Sequence, residues 1–205
     1  MMKSRERVEL ALDHEKPDRC PFQVGFTPEF AARLQEEKGI QSLKAHNPHG
    51  GGNSYAIERA LGEDMLITSV GWANSYYMDS KPYVDEWGIG WKHPLTDDDA
   101  ISGYCAPDPN RPELYVAAEQ MIRDFKEEYW IVGSTVTTIF ETAWALRGLK
   151  QTLMDMVRSP DLANALFDIP YRYHLTAAKK LVEMGLDMIY LGDDMGAQNQ
   201  TMISP

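Results

Sequence analysis

The sequence predicts an α/β fold built on a parallel sheet, on three observations. Short apolar runs alternate along the chain with longer stretches of helical period. Pro, Gly and short polar residues punctuate the junctions between them. The 205 residues, 43% apolar and 25% charged, suffice for one sizeable core.

Residues 4–14 read as a short amphipathic helix with Ser4 as N-cap and Val8, Ala11 and Leu12 on one face, broken by Pro17. The apolar run from Cys20 to Phe26 has the shape of a first buried strand. Thr27-Pro28 then supplies a cap and a Pro at N1 for a helix over 28–38, which Gly39 stops. The stretch from His46 to Asn53 is a glycine-rich loop. A helix near 54–61 ends at Gly62, and Glu63 to Val70 is the second strand.

Residues 72–95 mix aromatics with turn formers and read as an antiparallel excursion, with strand pieces at 76–78 and 83–91. A Pro-rich loop over 106–112 leads into a helix from Pro112 to about Glu128. Tyr129 to Ser134 is a compact buried strand. Residues 138–157 are helical, interrupted at Gly148. Ser159-Pro160 opens a long helix with Leu162, Leu166, Ile169, Tyr173, Ala177, Leu181 and Met184 on one side, kinked at Pro170 and closed by Gly185. Leu186 to Gly192 is the next strand. The closing Ser204-Pro205 reads as the cap and first turn of another helix, so the chain is expected to be cut short at its C-terminus, as one incomplete domain over 1–205.

Twenty Lys and Arg against 31 Asp and Glu give a net charge of −11. That balance argues against nucleic acid and an anionic membrane as partners. A small anionic substrate remains compatible, because a few local Arg residues can reverse the field in one cleft. Cys20 and Cys105 stand far apart, without metal-type spacing, and read as two reduced thiols of a cytoplasmic protein. The N-terminus runs straight into charged helix, without the apolar stretch of a signal peptide, and no run is long enough to span a membrane.

Several blocks together resemble the uroporphyrinogen decarboxylase superfamily. They are Ser4-Arg5-Glu6-Arg7-Val8 with Pro17-Asp18-Arg19-Cys20-Pro21, then Asp85-Glu86-Trp87-Gly88, then Phe140-Glu141-Thr142-Ala143-Trp144 with Leu146-Arg147-Gly148, and finally Gly185-Leu186-Asp187 through Asp193-Asp194-Met195-Gly196-Ala197-Gln198 to Ile203-Ser204-Pro205. Each block is weak alone; the ordered set is more specific. The resemblance implies a (β/α)8 TIM barrel, of which this chain, with about four barrel strands, would carry roughly the first half. It implies either decarboxylation of a tetrapyrrole in porphyrin biosynthesis or methyl transfer involving a corrinoid (cobalamin).

True decarboxylases of that family carry a Met-Arg-Gln-Ala-Gly-Arg segment after the first strand. Here the place reads Gln23-Val24-Gly25-Phe26-Thr27-Pro28, with no arginine until Arg33. Their essential aspartate near the end of the second strand also has no counterpart in Thr68-Ser69-Val70-Gly71-Trp72. A substrate with many carboxylates needs fixed guanidinium partners, so the decarboxylase is the runner-up. The resemblance favours a methyltransferase that moves a methyl group between a methylated small molecule or thiol and a corrinoid carrier, with a corrinoid protein as partner. A non-catalytic barrel that binds a small molecule is the third reading. Zinc, in the thiol-methylating members, is held by a His-x-Cys pair and a later Cys. No His-x-Cys occurs here, so no metal ligand is assigned and zinc ligands are expected beyond Pro205.

Asp193 and Asp194 follow a strand, where parallel α/β folds place their sites. Two adjacent carboxylates can bind a cation, orient a ligand or hold a proton; equally, one can cap backbone amides while the other is solvated. Glu141, near Trp144, is a candidate acid or a helix-start charge. Gln198, Trp144, His46 and His49 are candidate substrate contacts, with loop wiring, packing and a surface loop as the plainer alternatives.

Overall fold

The computed structural model describes residues 2–41, 54–70, 85–90, 93–136 and 138–203. Eight α-helices are found among them: α1 (Ser4–Leu12), α2 (Pro28–Lys38), α3 (Ala56–Leu61), α4 (Asp98–Ser102), α5 (Val116–Phe125), α6 (Phe140–Arg147), α7 (Leu149–Arg158) and α8 (Pro160–Glu183). Three strands accompany them: β1 (Met65–Ser69), β2 (Trp130–Val136) and β3 (Met188–Gly192). The sheet order is β1-β2-β3, and β1 runs parallel to β2, in register from Met65 opposite Trp130 to Ser69 opposite Ser134.

This open, three-stranded parallel sheet overturns the expected TIM barrel: among the described residues nothing closes. The run from Cys20 to Phe26 shows why. It forms no strand: two of its amides go to side chains, and its one backbone bond to the β1 side is the Asp64 amide donating to the Phe22 carbonyl at 3.0 Å. The Phe22 amide donates to Asp64 Oδ2 at 3.0 Å and the Val24 amide to Glu63 Oε2 at 3.3 Å. Phe22 and Val24 remain exposed. Among the described residues the sheet therefore ends at β1.

The chain divides into two compact units. The first comprises Met1–Asn74, Pro112–Ser134 and Lys180–Tyr190. Its helix α1 is capped by Lys3, whose amide donates to Glu6 at 3.0 Å, rather than by Ser4, whose hydroxyl reaches the Glu63 carbonyl. Helix α2 matches its expected limits: the Thr27 hydroxyl accepts from the Phe30 amide and Gly39 stands at φ 63°. Helices α1 and α5 pack on β1. Leu66, Ile131, Val132, Ala118 and Met121 form the buried core. Gly133 permits a close approach, since a Cβ there would lie 2.7 Å from a methyl of Leu186 and 3.0 Å from one of Leu181. A buried Asp187 takes both terminal nitrogens of Arg5, at 2.8 and 2.7 Å, tying β3's entry to α1.

The second unit comprises Ser75–Arg111, Thr135–Lys179 and Leu191–Pro205. Most of the expected excursion over 72–95 lies outside the described residues. Its described part, 85–90, is a turn in which Asp85 Oδ1 accepts from the amides of Trp87 and Ile89. Trp87 is 1% exposed and packs edge-on against Tyr173, 4.8 Å between centroids. Gly148 separates α6 from α7 as expected. Inside this unit the Arg147 guanidinium holds Asp155 at 2.9 Å, the Leu95 carbonyl at 3.1 Å, and Asp98. No described helix is long and apolar enough to cross a membrane.

Candidate carboxylate site at the start of helix α6

Strand β3 ends at Gly192, whose carbonyl accepts from the Thr138 amide at 3.2 Å. That contact sets the Asp193 side chain against the N-terminus of α6. There the helix presents amides without intrahelical partners, and Asp193 accepts three of them. Its Oδ2 takes the Ile139 amide at 2.8 Å, the Phe140 amide at 3.1 Å and the Thr138 hydroxyl at 2.6 Å; its Oδ1 takes the Glu141 amide at 3.0 Å. Asp193 is therefore a capping group contributed from 50-odd residues away, with its lone pairs largely engaged. Of the alternatives for the Asp193-Asp194 pair, this is the one in which one carboxylate wires backbone amides.

Asp194 is exposed and Glu141, in the first turn of α6, is half-buried. Burial pushes the Glu141 carboxyl above the usual carboxylate range, and the nearby Asp194 charge adds to this; the Asp194 backbone amide offsets part of it and Asp193 contributes a further rise. Asp193, Asp194 and Glu141 are thus brought together with three different characters: bonded to backbone amides, exposed, and half-buried with a raised pKa. Trp144 follows Glu141 along α6 and is half-buried. Gln198 is exposed on a turn in which the Ala197 amide donates to the Gln200 carbonyl at 2.7 Å. It is not drawn in toward the carboxylates by any described hydrogen bond. His46 and His49 lie outside the described residues.

Sequence reasoning missed His174. It sits on the apolar side of α8, 6% exposed, stacked on Trp87 at 6.2 Å and 11° and edge-on to Tyr173 at 5.2 Å. Burial lowers its pKa to about 4, against an opposing pull from Asp193. The imidazole is thus neutral across the ordinary pH range. Its placement beside Tyr173, already assigned to the buried side of the helix, was the available signal.

A cation at the carboxylates needs convergent ligands. Among the described residues no group of three or more His, Cys, Asp or Glu is placed to hold a metal, and Cys20 and Cys105 are both exposed and unpaired. The described residues therefore offer no convergent set for zinc.

Solved structures give the broader comparison. The fold is similar to that of a methyltransferase from Methanosarcina mazei. The TM-score is 0.60 at 18% sequence identity, over 92% of this chain and 58% of the other. The chain therefore spans under two thirds of that protein's length. No protein family's sequence profile matches the chain, and no curated protein matches it.

Proposed function

We propose that this chain belongs to a methyltransferase-like enzyme that moves a methyl group between a methylated small molecule or thiol and a corrinoid carrier. The likeness of fold to a methyltransferase carries the reading. The ordered sequence blocks that resemble the uroporphyrinogen decarboxylase superfamily support the corrinoid, and the missing arginines after residue 22 weigh against a porphyrinogen. The corrinoid enters as a second substrate that accepts the methyl group, and no residue is assigned to hold it.

The chain's own carboxylates then have separable tasks. When a methyl group leaves oxygen, the C–O bond breaks and the oxygen gains electron density that a proton must meet. Glu141, disposed by burial and by Asp194 to hold a proton, supplies it and is reprotonated from the solvent side, where Asp194 is exposed. Asp193 holds the start of α6 and so fixes Glu141. Trp144 contributes an apolar wall for the donor.

The test is turnover of a methoxylated donor with reduced cobalamin, followed by the visible spectrum of the corrinoid. Glu141→Gln should reduce the rate by about 10²–10⁴-fold, the usual contribution of general acid catalysis. An unchanged rate in Glu141→Gln, or no transfer by the parent chain, overturns the reading.

A further inference from the structure

Helix α7 is polar on its inner side and apolar on its outer side, the reverse of the usual arrangement for a surface helix. Its buried residues are Thr152 and Asp155. The Asp155 carboxylate accepts Arg147 Nε at 2.9 Å and the Gln151 side-chain amide at 2.7 Å, and the Thr152 hydroxyl donates to the Gly148 carbonyl at 3.0 Å. The Arg147 side chain is 1% exposed. Turning α7 to bury its apolar side would pull Asp155 away from that buried guanidinium, which is strongly unfavourable. The outward direction of the apolar side is therefore fixed.

That side forms a surface groove lined by Leu149, Lys150, Leu153, Met154, Val157 and Arg158. Residues four apart on a helix stack along one face, so the six make two adjacent rows. Leu149, Leu153 and Val157 are an apolar ridge; Lys150, Met154 and Arg158 run beside it, a methionine between two cations. Val157 is 82% exposed, and Leu149, Leu153 and Met154 are half-buried. Lys150 and Arg158 are exposed and stand about 12 Å apart along the axis. Among the described residues neither forms an ion pair, whereas Arg147 and Arg172 both do.

We propose that the outer face of α7 docks an amphipathic helix of a partner protein, with the partner's apolar seam on the Leu149, Leu153 and Val157 ridge and two acidic side chains, about two turns apart, meeting Lys150 and Arg158. Charge selects this occupant, as flanking charges select partners in paired helices. A second copy is disfavoured. Laid antiparallel on its own copy, α7 sets Lys150 against Arg158; laid parallel, it sets each cation against itself, and like charges oppose both pairings. An extended anionic bilayer would face the chain's net charge of −11. A single helix meets only this face, because charges beyond about 8 Å are screened at physiological salt. The docking face stands on α7 alone and is independent of any methyl transfer.

The test uses the whole chain and two fluorescein-labelled synthetic helices with the same leucine seam, one flanked by glutamates and the other by lysines, with anisotropy as the readout. The glutamate helix should bind saturably and more weakly at high salt, and the lysine helix should not bind. Val157→Asp, at a position that is 82% exposed and so not needed for folding, should weaken binding on the order of tenfold. Lys150→Glu combined with Arg158→Glu should switch the preference to the lysine helix. No saturable binding, equal binding of the two helices, or unchanged binding in Val157→Asp overturns the proposal. A dimer in sedimentation velocity, or retention on phosphatidylglycerol vesicles, that Val157→Asp abolishes also overturns it, since a second copy or a bilayer is then the occupant.

Discussion

Removing the Asp193 carboxylate tests the assignment of a structural role to the residue that sequence position made a candidate for catalysis. Asp193→Ala deletes four hydrogen bonds, three to the backbone amides of residues 139–141 and one to the Thr138 hydroxyl, between 2.6 and 3.1 Å. Loss of a capping side chain usually costs about 0.5–2 kcal/mol. The negative charge at the helix start adds about 0.3–1 kcal/mol, and the shortest bond, to Thr138, about 1 kcal/mol more. The sum is about 2–4 kcal/mol. With a urea m-value of about 2 kcal/mol/M, the middle of the usual range, the midpoint should drop by about 1–2 M while m stays unchanged. Asp194→Ala, at an exposed neighbour, should shift stability by no more than about 0.5 kcal/mol. Thr138→Val should lose about 1 kcal/mol, and only in the presence of Asp193, which a double-mutant cycle reads. Equal effects of Asp193→Ala and Asp194→Ala would refute the capping assignment.

Other predictions follow from single contacts. If Glu141 donates a proton, turnover should fall as pH rises through its raised pKa; Asp194→Asn removes a neighbouring charge, so this limb should move to lower pH, and an unmoved pH–rate profile counts against the pairing. Trp87→Ala should destabilise by about 3–5 kcal/mol and let water reach His174, raising the imidazole pKa from about 4 toward its ordinary value, as read by proton NMR of the ring. Asp187→Ala leaves the Arg5 guanidinium without its bidentate partner and should cost about 3 kcal/mol in a denaturant titration. Gly133→Ala should cost about 1–3 kcal/mol by overpacking, since the added methyl lies 2.7 Å from Leu186; a neutral effect in thermal unfolding would refute that close approach.

Local signals transferred well from sequence to structure. Helix α2 was readable because its start, Thr27-Pro28, and its stop, Gly39, are short-range chemistry that needs no partner. The break at Gly148 and the buried strand near 130–134 were equally local. The misreadings all concern where a backbone or side chain finds a distant partner. The run from Cys20 to Phe26 has strand composition, yet its amides bond to Glu63 and Asp64 from some forty residues on. Composition cannot tell a strand with a neighbour from an extended segment held by side chains. Among the described residues three strands formed where about four were expected, in an open sheet and not a barrel.

The candidate site shows the same division. Asp193, Asp194 and Glu141 were legible as residue types at a strand end and a helix start. Their environments depend on contacts across more than fifty residues, and those separate a capping Asp193 from a Glu141 whose carboxyl burial pushes up. His174 stayed hidden because a histidine on an apolar helix face reads as core; its stacking on Trp87 and the field of Asp193 become visible in the structure.

The most direct measurement is transfer of a carbon-13 methyl group from a methoxylated aromatic to reduced cobalamin, followed by NMR in the presence of the purified chain. The account predicts that label appears on the corrinoid at a rate that depends on the chain and is lost in Glu141→Gln while folding is retained. Label that stays on the donor with the folded parent chain, or transfer that is equally fast in Glu141→Gln, would contradict it.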